Sequence, residues 1–270
     1  MTLSTLLSLL SLEFVQRAML VGFVISLATA LLGTVLVYKR LALIGDGLAH
    51  IGFGALSLAV AMAWAPLLFA IPMMVIASVI VVLISENKRI YSDALIGIIS
   101  NSALAFGIVI ATKSKGFSVD VAGYLFGSLL TLTKLDVIVS LILGSLVIFL
   151  MIFLHHRLFI ITHDPEYAKT RGINTRFYKI ILAILTGITV AIGMRLTGSL
   201  LISSLIIFPV SIAHRLTHSY LRLVVISAII ALITFYLGII LSILAGIPSG
   251  ASIILFNLFT FILVSLIKRK

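Results

Sequence analysis

No cysteine occurs among the 270 residues, so neither a disulfide framework nor a thiolate metal site can form. Charge is scarce too. Asp, Glu, Lys and Arg make up 10% of the chain, where a soluble domain carries about 25%. That excludes an ordinary soluble globular domain. The P-loop run G-x-x-x-x-G-K followed by Ser or Thr is missing, so the chain itself does not bind ATP in that manner. No H-E-x-x-H occurs, which weighs against a membrane zinc protease. Residues 1–13 are apolar but carry no basic n-region, so no removable signal peptide is read there.

What remains is apolar. Hydrophobic residues form 62% of the chain and the mean hydropathy is +1.33. Runs long enough to span a bilayer lie at 15–37, 45–64, 66–84, 93–112, 136–154, 179–194, 198–213, 223–245 and 250–267, against a norm of about 20 residues. The pair 179–194 and 198–213 is short and split by Arg195 and Gly198, so it reads either as one broken unit or as a tilted pair. The expected fold is an all-α, polytopic helical transmembrane protein with eight or nine spans. Residues 1–270 are treated as a single transmembrane domain.

The net charge of +11 could suggest nucleic acid, but the basic residues sit mostly in short gaps between apolar runs. This is the pattern of topogenic charge, so no nucleic-acid partner is expected. With segment 155–178 on the cytoplasmic side, nine spans put fourteen of the 19 basic residues inside. The N-terminus is then outside and the C-terminus cytoplasmic. Two segments do not span. Segment 113–135 contains Gly123-Tyr-Leu-Phe-Gly-Ser128, apolar enough to dip into the membrane if protein shields its backbone. Segment 155–178 is the longest polar stretch.

Gly45-Asp-Gly-Leu-Ala-His50 puts a carboxylate and an imidazole four residues apart, on one helix face. Ionisable groups inside a membrane are costly and usually line a path or bind something. Carboxylate with imidazole is a ligand set for a first-row divalent metal. The plainer reading makes Asp46 a helix cap and His50 a satisfied interior histidine. From a helix start near Arg40, Asp46 lies roughly 9 Å and His50 roughly 15 Å along the axis. Two ligands per chain are too few for a tetrahedral site, and a dimer supplies four.

Asp164-Pro-Glu166 reads as a helix start, with Asp164 at the N-cap and Pro165 at the first helical position. Gly172 ends the helix in a left-handed conformation. The result is a short helix at the cytoplasmic face, either an ordinary loop helix or a docking helix for a cytoplasmic subunit. Glu13 and Arg17 are spaced to form an interfacial pair. Asn101, Ser203 and Ser204 sit in spans as candidate interhelical hydrogen bonders. His155 and His156 read as a solvated face beside a loop. His214 and His218 are weaker ligand candidates, and Pro209 and Pro248 are expected to break or kink spans.

Taken in order, several segments resemble one family, the membrane permease subunits of ABC importers for zinc and manganese. They are Phe14-Val-Gln-Arg-Ala18, Arg40 to His50 with its G-D-x-L-x-H signature, Asp93-Ala-Leu-Ile-Gly97-Ile98 and Tyr124-Leu-Phe-Gly-Ser128. Asp164-Pro-Glu-Tyr-Ala168 with Gly172-Ile173, Gly198 to Ile202 with Phe208-Pro209, and Pro248-Ser-Gly-Ala251 complete the series. Two stretches depart from it. Ile51-Gly-Phe-Gly54 stands where the family often has Pro, and Val210 to His214 where it often has small residues. The resemblance implies the fold of that permease family and a transport subunit that is not itself an enzyme. It implies Asp46 and His50 as metal ligands on the route. It makes Asp164, Glu166, Ala168 and Gly172 a coupling helix for a separate ATPase subunit that binds the ATP. The implied partners are that ATPase, an extracytoplasmic metal-binding protein, a second copy of the chain and membrane lipid. The implied location is the plasma membrane of a prokaryote. The only bound species expected on this chain is the transported divalent ion, zinc before manganese. Competing cargoes are an iron chelate or a vitamin. A proton-coupled secondary transporter using Asp46 and His50 as a relay is the competing mechanism.

Overall fold

The computed structural model describes residues 11–39, 41–85, 92–113, 125, 127, 132–199 and 202–267. Arg40, Tyr124, Phe126 and Ser128 lie outside the described residues. Among those described there is no strand, and the helices are α1 (Glu13–Tyr38), α2 (Ile44–Ala61), α3 (Pro66–Ser85), α4 (Ser92–Lys113), α5 (Lys134–Phe153), α6 (His155–His163), α7 (Pro165–Thr170), α8 (Thr175–Thr197), α9 (Ile202–Leu216), α10 (Tyr220–Ala245) and α11 (Ser249–Ile267). Eight of them are long and apolar enough to cross a membrane, and α9 is a shorter apolar helix.

The helices divide by burial. About three quarters of α1, α2 and α8 is buried (78%, 72% and 72%), against 22–39% of α3, α4, α5, α10 and α11. The first three therefore form the centre and the others an outer shell. Lipid is as apolar as Leu, so close contact between helices depends on small residues and hydrogen bonds. Both occur here. On α2 and α4, a Cβ at Gly54 would stand 2.6 Å from the Ala103 carbonyl oxygen, and one at Gly107 would stand 2.9 Å from the Gly54 Cα. Between α3 and α8, the Ser78 hydroxyl donates to the Ala183 carbonyl at 2.8 Å.

The split between 179–194 and 198–213 resolves as two helices. Gly198 breaks them, with φ +86° and ψ 156°. At about 22 Å, α9 is shorter than the roughly 30 Å hydrocarbon core, yet it carries the chain back across the bundle. Tyr38 at the end of α1 touches the rings of His163 on α6, His214 on α9 and Tyr220 at the start of α10. The end of α9 therefore lies at the same face as α6 and α7. Starting from that face, α8 must cross to the other and α9 must return.

Of the two prolines expected to break or kink spans, Pro248 falls in the break between α10 and α11, while Pro209 lies inside α9 without ending it, as Pro72 does inside α3. Glu13 and Arg17 form the expected ion pair. His155 departs from expectation. It opens α6 instead of flanking a loop, and its ring packs 5.2 Å from that of Tyr220. Burial first, then the charge of His156, holds it below the usual histidine range.

Candidate functional site

The helix bearing Asp46 begins at Ile44, later than the expected start near Arg40. Leu43 is its N-cap residue, so Asp46 occupies the first turn without being the cap. The carboxylate is favoured there by the positive end of the helix dipole. Measured along α2 itself, Asp46 is ~3 Å and His50 ~9 Å from the start. Depth comes from another source. Ile206 on α9 lies against both Gly33 of α1 and Gly45 of α2. Gly45 is thus roughly level with a point five residues, ~8 Å, before the end of α1. The connection turns back into the bundle before α2 begins.

Asp46 and His50 are brought together. Nε2 of His50 lies 3.7 Å from Oδ2 of Asp46, beyond hydrogen-bonding distance but within ion-pair range. The Asp46 side chain is 44% exposed and that of His50 14%. Nδ1 of His50 is buried and has no hydrogen-bond partner among the described residues. Ser203 Oγ donates to Asp46 Oδ1 at 3.5 Å, the long limit of such a bond. The neighbouring walls are small or aliphatic. Gly45 faces Ser203 and Ile206, and Gly47 faces Ile96 and Ser100. Among the described residues, no group of three or more His, Asp or Glu side chains is placed to hold a metal ion. One chain therefore offers a carboxylate and an imidazole, half of a tetrahedral set. His214 belongs elsewhere, in the ring cluster around Tyr38. His214 and His218 are exposed.

The second candidate segment folds as its sequence predicts. Asp164 caps α7, its Oδ1 accepting from the Tyr167 amide at 2.9 Å, and Pro165 is the first helical residue. Gly172 takes φ +72°. The Ile173 amide donates to the Ala168 carbonyl at 3.0 Å and the Gly172 amide to that of Lys169 at 2.9 Å, the paired bonds of a Schellman ending. Ala168 is fully buried, whereas Glu166, Tyr167, Lys169 and Arg171 are exposed. The helix is fastened by one methyl and presents a polar outer face.

One pair escaped the sequence reading. Arg195 near the end of α8 donates from Nη2 to Oδ2 of Asp136 on α5 at 2.6 Å, with both side chains under 10% exposed. The same Oδ2 accepts from the Thr133 amide, and Thr133 Oγ1 accepts from the Asp136 amide, a reciprocal capping box. The signals were present in Thr133-Lys-Leu-Asp136 and in an arginine at the end of an apolar run. Removing one partner leaves a buried charge. Arg195→Met alone is expected to destabilise the protein by about 3–5 kcal/mol, and Arg195→Met with Asp136→Leu to recover most of that. Thermal unfolding of the purified variants in detergent checks both.

Comparison with known proteins decides the family, because the ABC 3 transport family matches residues 11–268. The chain belongs to that family. It is 33% identical over 258 residues to "High-affinity zinc uptake system membrane protein ZnuB" of Haemophilus influenzae, covering 96% of this chain and 98% of that protein. It is 28% identical over 247 residues to "Manganese transport system membrane protein MntC" of Halalkalibacterium halodurans, covering 92% and 85%. In fold it resembles a chain of "PsaBC from Streptococcus pneumoniae in complex with Fab", with a TM-score of 0.87 at 24% identity, covering 98% of this chain and 95% of that one. As an ABC 3 permease it is a multi-pass plasma-membrane transport subunit of an importer, and the family role is not catalytic. An ATP-binding partner and a substrate-binding partner go with that role.

Proposed function

We propose that this ABC 3 permease carries a bare divalent transition-metal ion, zinc before manganese, between the Asp46–His50 pairs of two copies. The observation that carries the reading is the half-complete ligand set of one chain, a partly exposed carboxylate 3.7 Å from an imidazole whose other nitrogen has no partner among the described residues. Two copies supply two carboxylates and two imidazoles. Imidazole with carboxylate suits zinc or manganese, and intrinsic affinity favours zinc. A chelate or vitamin needs a wide, aromatic-lined cavity, whereas Asp46 and His50 are flanked by Gly45, Gly47, Ser203 and Ile96.

The end of the bundle bearing α7 is the cytoplasmic face in this reading. The C-terminus lies on that side and the N-terminus on the opposite side, where an extracytoplasmic metal-binding protein delivers the ion. Asp164 and Gly172 fix the ends of α7, Ala168 seats it, and Glu166 lies on the outer face offered to the ATPase. Hydrolysis by that partner moves α7 and opens the path alternately to the two sides.

Ala168→Arg tests the coupling. A long charged side chain cannot occupy the buried site of a methyl group, so α7 is expected to leave its seat. At matched membrane levels, ATP-driven zinc uptake is expected to fall by about tenfold or more, from loss of roughly 1.4 kcal/mol or more of productive docking. Hydrolysis by the isolated ATPase subunit stays unchanged. Uptake equal to that of the wild type contradicts the assignment of α7.

A further inference from the structure

Asn101, a candidate interhelical hydrogen bonder, is instead exposed on α4 and forms no hydrogen bond with a described residue. It is the tenth residue of that helix, ~14 Å from its start, which places it near the middle of a hydrocarbon core of roughly 30 Å. Asn257 of α11 is also an asparagine in an outer span, but it is fully buried and its Nδ2 donates to the Ile253 carbonyl at 3.0 Å. Hydrocarbon offers a carboxamide nothing in place of the water it gives up, so an open one at this depth is costly. Polar groups within spans face the protein interior or a water-filled path.

The position of Asn101 follows from the packing of α4 on α2. Gly47 stands against Ile96 and Ser100, and Gly54 against Ala103 and Gly107. The two helices therefore run side by side in the same direction. His50 falls midway between the two glycines, and Asn101 midway between their two sets of partners, so the two residues lie at the same level. Their sides agree as well. Asp46 is one residue before the contact line of α2, and Asn101 one residue after that of α4. Each residue turns a helix by about 100°, so on two parallel helices a step back on one and a step forward on the other point to the same side. Asp46, His50 and Asn101 thus share one side of the α2–α4 pair, where Asp46 is partly exposed and Asn101 exposed.

We propose that Asn101 lines the route of the divalent ion beside Asp46 and His50, its carboxamide oxygen receiving the ion or a water bound to it. The inference rests on the reading of Asp46 and His50 as the ion's ligands. A neutral oxygen donor adds no charge, so it holds the ion weakly enough to pass it on. At matched membrane levels, Asn101→Leu is expected to lower zinc uptake about 2- to 10-fold, the worth of one hydrogen bond. Asn101→Gln, which keeps the carboxamide, should retain most of it.

Because the chain has no cysteine, Asn101→Cys introduces its single thiol. The test is reaction of that thiol with a water-soluble cationic methanethiosulfonate, in membranes holding this chain with its ATPase. It is expected to react about tenfold faster or more than Ile142→Cys on α5 or Ile229→Cys on α10, both exposed apolar positions. Zinc should slow the reaction at Asn101→Cys and leave the other two unchanged. Reaction no faster than at those two positions overturns the proposal, because Asn101 then faces lipid or is covered. A disulfide-linked dimer through Asn101→Cys without labelling also overturns it, by assigning the position to packing between two copies. Labelling that zinc does not slow, with uptake still lost on His50→Ala, overturns it too, since the position is then wet but off the ion's route. Labelling that zinc slows while His50→Ala leaves uptake intact supports a route past Asn101 and overturns the reading of Asp46 and His50.

Discussion

Cells lacking their own zinc importers, supplied with this chain, its ATPase and its binding protein, are expected to lose accumulation about 10- to 100-fold on His50→Ala. Loss of one charge-assisted contact to the ion, about 1.5–3 kcal/mol, already gives this factor, and each of the two copies loses one, so it is a lower bound. The fold should tolerate the change. Nδ1 of His50 makes no hydrogen bond among the described residues and Nε2 stands 3.7 Å from Asp46, so truncation breaks no hydrogen bond there. Membrane level and thermal unfolding should stay close to wild type while uptake falls. Asp46→Asn is expected to act in the same direction, because it keeps the shape and the contact with Ser203 but removes the charge that balances a divalent cation. A loss of protein matching the loss of uptake contradicts this, since it makes His50 a packing residue. A proton-relay role predicts a different pattern, with wild-type uptake collapsing when the proton gradient is dissipated while ATP stays high.

Gly198→Ala is expected to be severely destabilising. Its backbone, at φ +86° and ψ 156°, lies in a region open essentially to glycine alone, costing of order 1–3 kcal/mol for another residue. The added Cβ would also stand 2.3 Å from the Leu125 carbonyl oxygen and 2.5 Å from the Gly127 nitrogen. These are backbone atoms, which cannot turn aside as a side chain can. Both terms act together, so the variant is expected to be poorly folded or to unfold well below wild type. Two glycines serve as controls. Gly172→Ala meets nothing within 4 Å, so only its left-handed backbone costs, about 1–2 kcal/mol. Gly97→Ala meets nothing within 4 Å and carries no positive φ, so it should be neutral or slightly stabilising within its helix. The order Gly198, Gly172, Gly97 in lost unfolding temperature is the check.

Much of this was readable from residue order, for physical reasons. Spans declare themselves because lipid demands about 20 apolar residues in a row. The α7 segment declared itself because Asp164, Pro165 and Gly172 each do one local job that no distant contact overrides. The start of α2 was less legible. Its apolar pattern continues through Leu41 and Leu43, and nothing local says that the connection turns back and sinks Ile44 below the end of α1. Ile206, far along the chain, marks that depth. The Asp136–Arg195 pair was hidden in the same way, since it joins residues 59 positions apart. The pairing of Asp46 with His50 was legible because their spacing sets it. In the proposed function the missing half of the ligand set belongs to no segment of the sequence, because a second copy of the same residues would supply it.

The most direct measurement is zinc stoichiometry on the purified, assembled permease, by equilibrium dialysis with radioactive zinc, for wild type and for His50→Ala with Asp46→Asn. If two copies share one site, wild type binds about one ion for every two chains and the double variant none above background. Saturable zinc binding that is identical in wild type and the double variant contradicts the account, because the ion is then held by residues other than Asp46 and His50.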